Sequence, residues 1–191
     1  QGDFLQRFAA AGLTTEQVDT VLCTHMHVDH VGWNTQWVDG AWRPTFPRAQ
    51  YLFAEDEWQH WRHESQEYGP VIEDSVQPIF DAGQAVIVPQ HHQVTAEISL
   101  QPTPGHTPGH VSVHIQSGGE AAVITGDMIH HPCQIAHPLW STLADTDPSA
   151  AAETRTDFLQ RYGDQPVLVI GTHFAAPTAG HIVKDGDAYR L

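Results

Sequence analysis

Thr24-His25-Met26-His27-Val28-Asp29-His30 sets four metal-ligand side chains within six positions, directly after a stretch, residues 18–24, that reads as a buried β-strand. In extended backbone, residues two apart face the same way. His25 and His27 can therefore grip one ion, while the turn that follows swings Asp29 and His30 towards a second. A lone histidine in a loop usually means nothing. Four donors at H-x-H-x-D-H spacing point to a metal site.

Outward from this segment, Asp3 is expected to cap a helix with Phe4, Leu5 and Phe8 on one face and Gly12 as its stop. Residues 31–49 read as an aromatic-rich loop, 51–54 as a strand, 55–67 as a helix carrying Trp58 and Trp61, and 70–82 as another helix ended by Gly83. Strands are expected over 85–88, 98–101, 110–115 and 121–125, with Ser117-Gly118-Gly119 turning between the last two. A helix over 148–162 opened by Asp147-Pro148, a strand over 167–170 and a closing hairpin around Asp185-Gly186 complete the pattern. Mixed strands and helices with no linker or repeat predict one layered α/β domain over 1–191.

The chain carries 8 Lys+Arg against 23 Asp+Glu, a formal charge of −15. Sparse, scattered cations argue against nucleic acid and against anionic membrane surfaces as partners. No apolar run is long enough to span a bilayer. There are 15 histidines in 191 residues but only two cysteines, Cys23 and Cys133, with no C-x-x-C. Imidazole and carboxylate rather than thiolate are thus the available metal donors, a set that suits zinc and also admits iron, manganese or cobalt. Cys23, within an apolar run, reads as a small buried thiol.

Further motifs follow in order: Thr103-Pro104-Gly105-His106-Thr107-Pro108-Gly109-His110, Thr125-Gly126-Asp127 and Gly171-Thr172-His173, each at the end or start of a predicted strand. With H-x-H-x-D-H they make the sequence resemble the metallo-β-lactamase-fold hydrolases. The resemblance implies an αββα sandwich holding two divalent metal ions. His25, His27 and His110 would hold the first, Asp29, His30 and His173 the second, and Asp127 would bridge them. It implies hydrolysis by a hydroxide generated on the metals, with Asp29 also handling a proton. In one group of true β-lactamases a cysteine occupies the place of Asp127, which disfavours a lactam substrate. Gly126-Asp127-Met128-Ile129-His130-His131-Pro132, the Asp145–Ala150 approach to a helix and Gly171-Thr172-His173-Phe174 are most similar to the branch containing methyl parathion hydrolase and related lactonases. That branch implies a small neutral ester, lactone or phosphotriester as substrate, with Trp33, Trp37 and Phe174 as candidate pocket walls.

Other residues have plainer expected roles. Trp58 and Trp61 read as helix-face core. His106, four before His110, reads as a residue that braces the loop or orients a ligand; His130 and His131 are balanced between orienting the site and ordinary burial or solvation. Only 24 residues precede His25, so most of the N-terminal strands of such a sandwich are absent from this sequence. An upstream segment, favoured because no initiator methionine opens the chain, a separate chain or strand exchange in a homodimer would complete the sheet. The competing functional reading is a metal-binding but catalytically silent partial domain within a larger assembly. The true N-terminus is not visible in this sequence, so the cytoplasm stands only as the default compartment.

Overall fold

The computed structural model describes residues 2–63 and 69–191. They fall into two compact units: Gln1–Phe53 with Trp61–Ile87, and Ala54–His60 with Val88–Leu191. Among the described residues no helix is long and apolar enough to cross a membrane.

In the first unit, α1 (Phe4–Ala10) stops before Gly12 at φ +80°. Asp3 does not cap it as expected; its carboxylate accepts from Arg7 Nε at 2.7 Å, one turn along, instead of from the first backbone amides. No α1 residue is buried, and its aromatic rings lie beside Trp33 (Phe4, 5.2 Å) and Phe46 (Phe8, 6.0 Å). β1 (Thr20–Leu22) is shorter than predicted and half-exposed, because among the described strands it pairs on one side only. α2 (Val28–Val31) and a 3₁₀ turn over Gly32–Asn34 follow.

The expected loop over 31–49 contains a hairpin. β2 (Thr35–Val38) and β3 (Ala41–Pro44) pair antiparallel with Trp37 opposite Trp42. Asp39 and Gly40 link them at φ 52° and 77°, the double positive φ of a type I′ turn, for which Asp-Gly is a preferred pair. β4 (Gln50–Ala54) is the centre of the order β1-β4-β5 and runs parallel to β1. It is followed by α3 (Glu55–Trp61), α4 (Gln77–Asp81) and the edge strand β5 (Ala85–Val88). Tyr51 on β4 is fully buried, donates to Asn34 O at 3.1 Å and accepts from Phe46 N at 3.0 Å. Burial pushes its phenol up to about 12.

The predicted helix over 70–82 is interrupted: a π-helical turn, Ile72–Val76, leads into α4. Pro78 has no N–H to return to the Asp74 carbonyl, and that carbonyl accepts from Thr35 Oγ1 at 2.7 Å. The helix predicted over 55–67 ends at Trp61, and the part of it over 64–67 lies outside the described residues. Trp61 is buried, as expected of a core residue, and Trp58 half-buried.

The second unit is built on a six-stranded sheet, β11-β10-β9-β8-β7-β6. Its strands are β6 (His92–Gln93), β7 (Ile98–Pro102), β8 (Val111–Ser117), β9 (Glu120–Ile124), β10 (Val167–Ile170) and β11 (Ala179–His181). β7, β8 and β9 form an antiparallel meander, and Gly118-Gly119 makes the expected turn. β10 runs parallel to β9, so a crossover is required. α5 (Cys133–Ala136) and α6 (Pro148–Tyr162) supply it. Asp147 caps α6 through Oδ1, accepting from Ser149 N and Ala150 N at 3.0 Å each.

Phe158 and Leu159 of α6 enter a core with Val123, Met128, Ile129, Ile135, Val169, Phe174 and Ile182. The closing hairpin, β12 (Val183–Asp185) and β13 (Ala188–Arg190), turns at Gly186-Asp187, one residue later than expected. Ile182 is thereby left out of the hairpin and is fully buried.

Candidate metal centre

The structure brings the predicted donors together in two sets, one within each unit. In the first unit the chain leaves β1 and passes through extended backbone at His27 (φ −64°, ψ 153°) before α2 begins. His25 and His27 are buried, with His25 Nε2 3.1 Å from His27 Nδ1. The His30 ring stands 4.0 Å from that of His25, centroid to centroid. Asp29 Oδ2 lies 3.4 Å from His30 Nε2, its side chain half exposed while that of His30 is nearly enclosed. The Trp61 ring meets His27 edge-on at 5.3 Å.

In the second unit the strand directions bring His110, Asp127 and His173 to one end of the sheet. β8 runs antiparallel to β9 and β9 parallel to β10. The residue before β8 and the residues after β9 and β10 therefore share an end. His110 and Asp127 are buried there, and the His173 side chain is 39% exposed. Asp127 Oδ2 is the focus: His173 Nε2 lies at 3.0 Å, His130 Nε2 at 3.3 Å and His106 Nε2 at 3.6 Å. His110 is oriented from both sides, with Nδ1 2.7 Å from Thr103 Oγ1 and Nε2 accepting from Asp127 N at 3.0 Å.

His106, read from sequence as a bracing residue, is fully buried and is also among the possible metal donors. Its Nδ1 lies 3.1 Å from Asp145 Oδ1. Burial opposes ionisation of Asp145, but hydrogen bonds from His106 and Thr142 N and the nearby Arg155 outweigh it and hold the carboxyl below its ordinary value. Sequence reasoning missed Arg155, which is fully buried. The available signal was its place on α6: Ala151, Arg155, Phe158 and Leu159 fall at i, i+4, i+7 and i+8, so the cation lies on the buried face.

A divalent ion fits the donor chemistry. Asp127 Oδ2 and the imidazoles of His173, His130 and His106 gathered around it are the oxygen and nitrogen donors such an ion takes. Both His130 ring nitrogens are buried without a hydrogen bond, a costly state for imidazole unless another partner completes its set. Among the described residues neither cysteine joins a group of possible metal donors; Cys23 is buried, with Sγ 3.5 Å from Asn34 Oδ1.

The aromatic candidates are placed differently from one another. Trp33 is half-buried against Phe4, Trp37 is 56% exposed and packs edge-on to Trp42, and the Phe174 ring sits in the core of the second unit.

The family profile described as the metallo-beta-lactamase superfamily matches residues 2–173, and the chain belongs to that superfamily and has its fold. Among solved structures, the hydrolase AbOPH of the beta-lactamase superfamily is 28% identical with a TM-score of 0.86, the match covering 99% of this chain and 68% of that one. AidC, a dizinc quorum-quenching lactonase in complex with a product, is 22% identical with a TM-score of 0.84, covering 100% and 69%. A probable metal-dependent hydrolase from Staphylococcus aureus is 24% identical with a TM-score of 0.81, covering 100% and 68%. The last two likenesses speak to the fold alone. A search of curated proteins gives no match.

Proposed function

We propose that the chain is a dinuclear metal-dependent hydrolase, with zinc as the resident metal, that cleaves a small neutral ester, lactone or phosphotriester, and that its two units act as one domain. The observation that carries this reading is the gathering of His110, Asp127 and His173 at one end of the sheet, with imidazoles crowded on a single carboxylate oxygen. Membership of a hydrolase superfamily supports it, as does the likeness to AbOPH.

The resemblance gives His25, His27 and His110 to one ion and Asp29, His30 and His173 to the other, with Asp127 shared between them; His110, whose Nε2 accepts from Asp127 N and whose Nδ1 faces Thr103 Oγ1, would have to give up the first of these bonds to serve as a ligand. When bound, such ions lower the pKa of coordinated water to about 7 and polarise a carbonyl or phosphoryl oxygen. The chain's own residues do the rest. Asp127, anchored through its backbone N–H to His110, presents its carboxylate from a fixed position. Asp29, half exposed beside His30, holds or passes on a proton at Oδ2. Trp37 and Trp33 offer aromatic surface to an apolar acyl or aryl group.

Elemental analysis of protein purified without added metal, combined with an esterase, lactonase and phosphotriesterase panel, tests the proposal. The expected result is close to two metals per chain and turnover of at least one substrate, with metal and turnover lost together in Asp127→Ala. Metal-free protein with full turnover would refute it. Stoichiometric metal with no turnover of any class would favour the silent subunit reading, which draws on the shares of 68% and 69% by which this chain spans its structural relatives.

A further inference from the structure

On one face of the second unit's sheet, α6 lies against strands that outnumber what a single helix can cover. A helix is about 10 Å across and neighbouring strands lie about 4.8 Å apart, so one helix covers roughly two of them. Phe158 and Leu159 of α6 share a core with Val123 of β9 and Val169 of β10, which places the helix over those two strands. The same face continues onto β8 and β7 through the pairs Val123–His114, His114–Ser99 and Ser112–Gln101. There it turns polar. Alternation along the strands sends Leu100, Val111 and Val113 to the opposite face, where they are buried, and leaves Gln101, Ser112 and His114 beside α6. The result is a cavity of about 530 Å³ between β7, β8 and the flank of α6, a volume usual for a small-molecule site. None of the side chains lining it belongs to a group of possible metal donors among the described residues.

The floor of this cavity is neutral. His114 has Ser112 Oγ 3.1 Å from its Nε2 and Tyr162 OH 3.3 Å from its Nδ1, and burial first, then the charge of Arg161, holds it below its ordinary pKa. In a neutral imidazole one nitrogen donates and the other accepts. With the proton on Nδ1, Tyr162 accepts and its own hydroxyl proton is left to donate into the cavity. With the proton on Nε2, Tyr162 donates to Nδ1 and its oxygen is left to accept. Tyr162 and the amide of Gln101, both half-buried, can therefore each serve a ligand as donor or acceptor. Glu153, Asp157 and Arg161, four residues apart along α6, line the rim and are exposed, so water screens their charges. A charged ligand would shed its hydration over the neutral floor with weak compensation. A neutral molecule with several hydroxyls, each both donor and acceptor, keeps its hydrogen bonds there, and its C–H faces meet Pro102, Pro104 and Phe158. We propose that this cavity binds a small neutral polyhydroxyl compound, a sugar or polyol, with Gln101 and Tyr162 bonding its inner hydroxyls and Asp157 an outer one.

The test is a titration of isotope-labelled protein with glucose, galactose, sucrose and glycerol, followed in amide correlation spectra by nuclear magnetic resonance. At least one of the four should give saturable shifts confined to amides of 101–104, 112–114 and 150–162, with a dissociation constant of about 1–10 mM, the range open to so small a ligand. Gln101→Ala and Asp157→Ala should each weaken that binding by about threefold to tenfold, in protein whose circular dichroism is that of the wild type. Asp157 is exposed, so its variant keeps the test readable if Gln101→Ala fails to fold. The absence of saturable shifts with all four compounds, shifts at other amides, or wild-type binding in a folded variant would overturn the proposal. Glycine, a zwitterion, serves as the contrast: shifts at these amides with glycine and none with the polyhydroxyl compounds would overturn the choice of ligand.

Discussion

Replacing Gly109 by alanine is the sharpest probe of how the ligand loop is held. A Cβ at this position would stand 1.9 Å from Glu57 N, 2.3 Å from Glu57 Cα and 2.5 Å from Glu57 Cβ. The first two are backbone atoms of the opening turn of α3, so no side-chain rotation relieves the contact, and ordinary separation requires a displacement of more than about 1 Å. The same approach carries two hydrogen bonds to the buried Glu57 Oε2, from Thr107 Oγ1 at 2.7 Å and Gly109 N at 3.1 Å. Overpacking against a fixed neighbour costs about 1–3 kcal/mol, and weakening hydrogen bonds to a buried carboxyl group adds about 1 kcal/mol or more. Gly109→Ala should therefore lose about 2–4 kcal/mol in urea unfolding, read from the midpoint at constant slope. Gly32→Ala is the control. A Cβ there meets nothing within 4 Å, and the change should stay within about 0.5 kcal/mol of the wild type or stabilise slightly. Gly109 adjoins His110, so Gly109→Ala should also lower metal content. A Gly109→Ala protein as stable as the control would refute the reasoning.

Two further outcomes are expected. Arg155→Met removes the cation beside the fully buried Asp145 and should cost about 3–5 kcal/mol in the same unfolding assay; a loss under 1 kcal/mol would show the pair to be dispensable. His114 is held below its usual 6.5, first by burial and then by the charge of Arg161, with Tyr162 OH and Ser112 Oγ at its two ring nitrogens. The folded state thus binds fewer protons there than the unfolded state. His114 contributes stability that is complete above about pH 6.5 and is lost as pH falls through the depressed folded value. Melting curves of His114→Gln should show a flatter acid limb than the wild type, and identical limbs would contradict this.

The parts of the fold that were legible in the sequence are those written in local chemistry. Asp147-Pro148 opens α6 where expected, and Gly118-Gly119 turns β8 into β9. The H-x-H-x-D-H segment breaks from strand to helix between Leu22 and Val28. The hairpin over 35–44 is written equally plainly in Asp39-Gly40, although its density of tryptophans reads as an aromatic-rich loop. The interruption at Val76 was not local, because it depends jointly on Pro78 and on Thr35, far away in sequence. Arg155 was hidden for the same reason. Four of its five acceptors are backbone carbonyls or a serine hydroxyl, groups that carry no distinctive residue code. The residue types able to bind a metal are thus visible in sequence motifs, while the long-range contacts of Arg155 are not.

That difference bears on how the loop from Thr103 to His110 achieves its geometry. Four of its members are fixed by three different parts of the second unit: His110 by Thr103 just after β7, Thr107 and Gly109 by Glu57 of α3, and His106 by Asp145 ahead of α6. The loop's own backbone adds Gly105 N to Thr107 O, and the segment beyond is tied back through Thr146 N to His106 O and Asp147 N to Gly105 O. A loop tethered at so many points gives up its conformational entropy on folding, before any ligand arrives. The imidazoles are then already near their working orientation, and the free energy of binding an ion is not spent on ordering the chain. The acidic and imidazole groups could be crowded on one oxygen of Asp127 only because packing elsewhere, chiefly α6 on the sheet, compensates for holding them there.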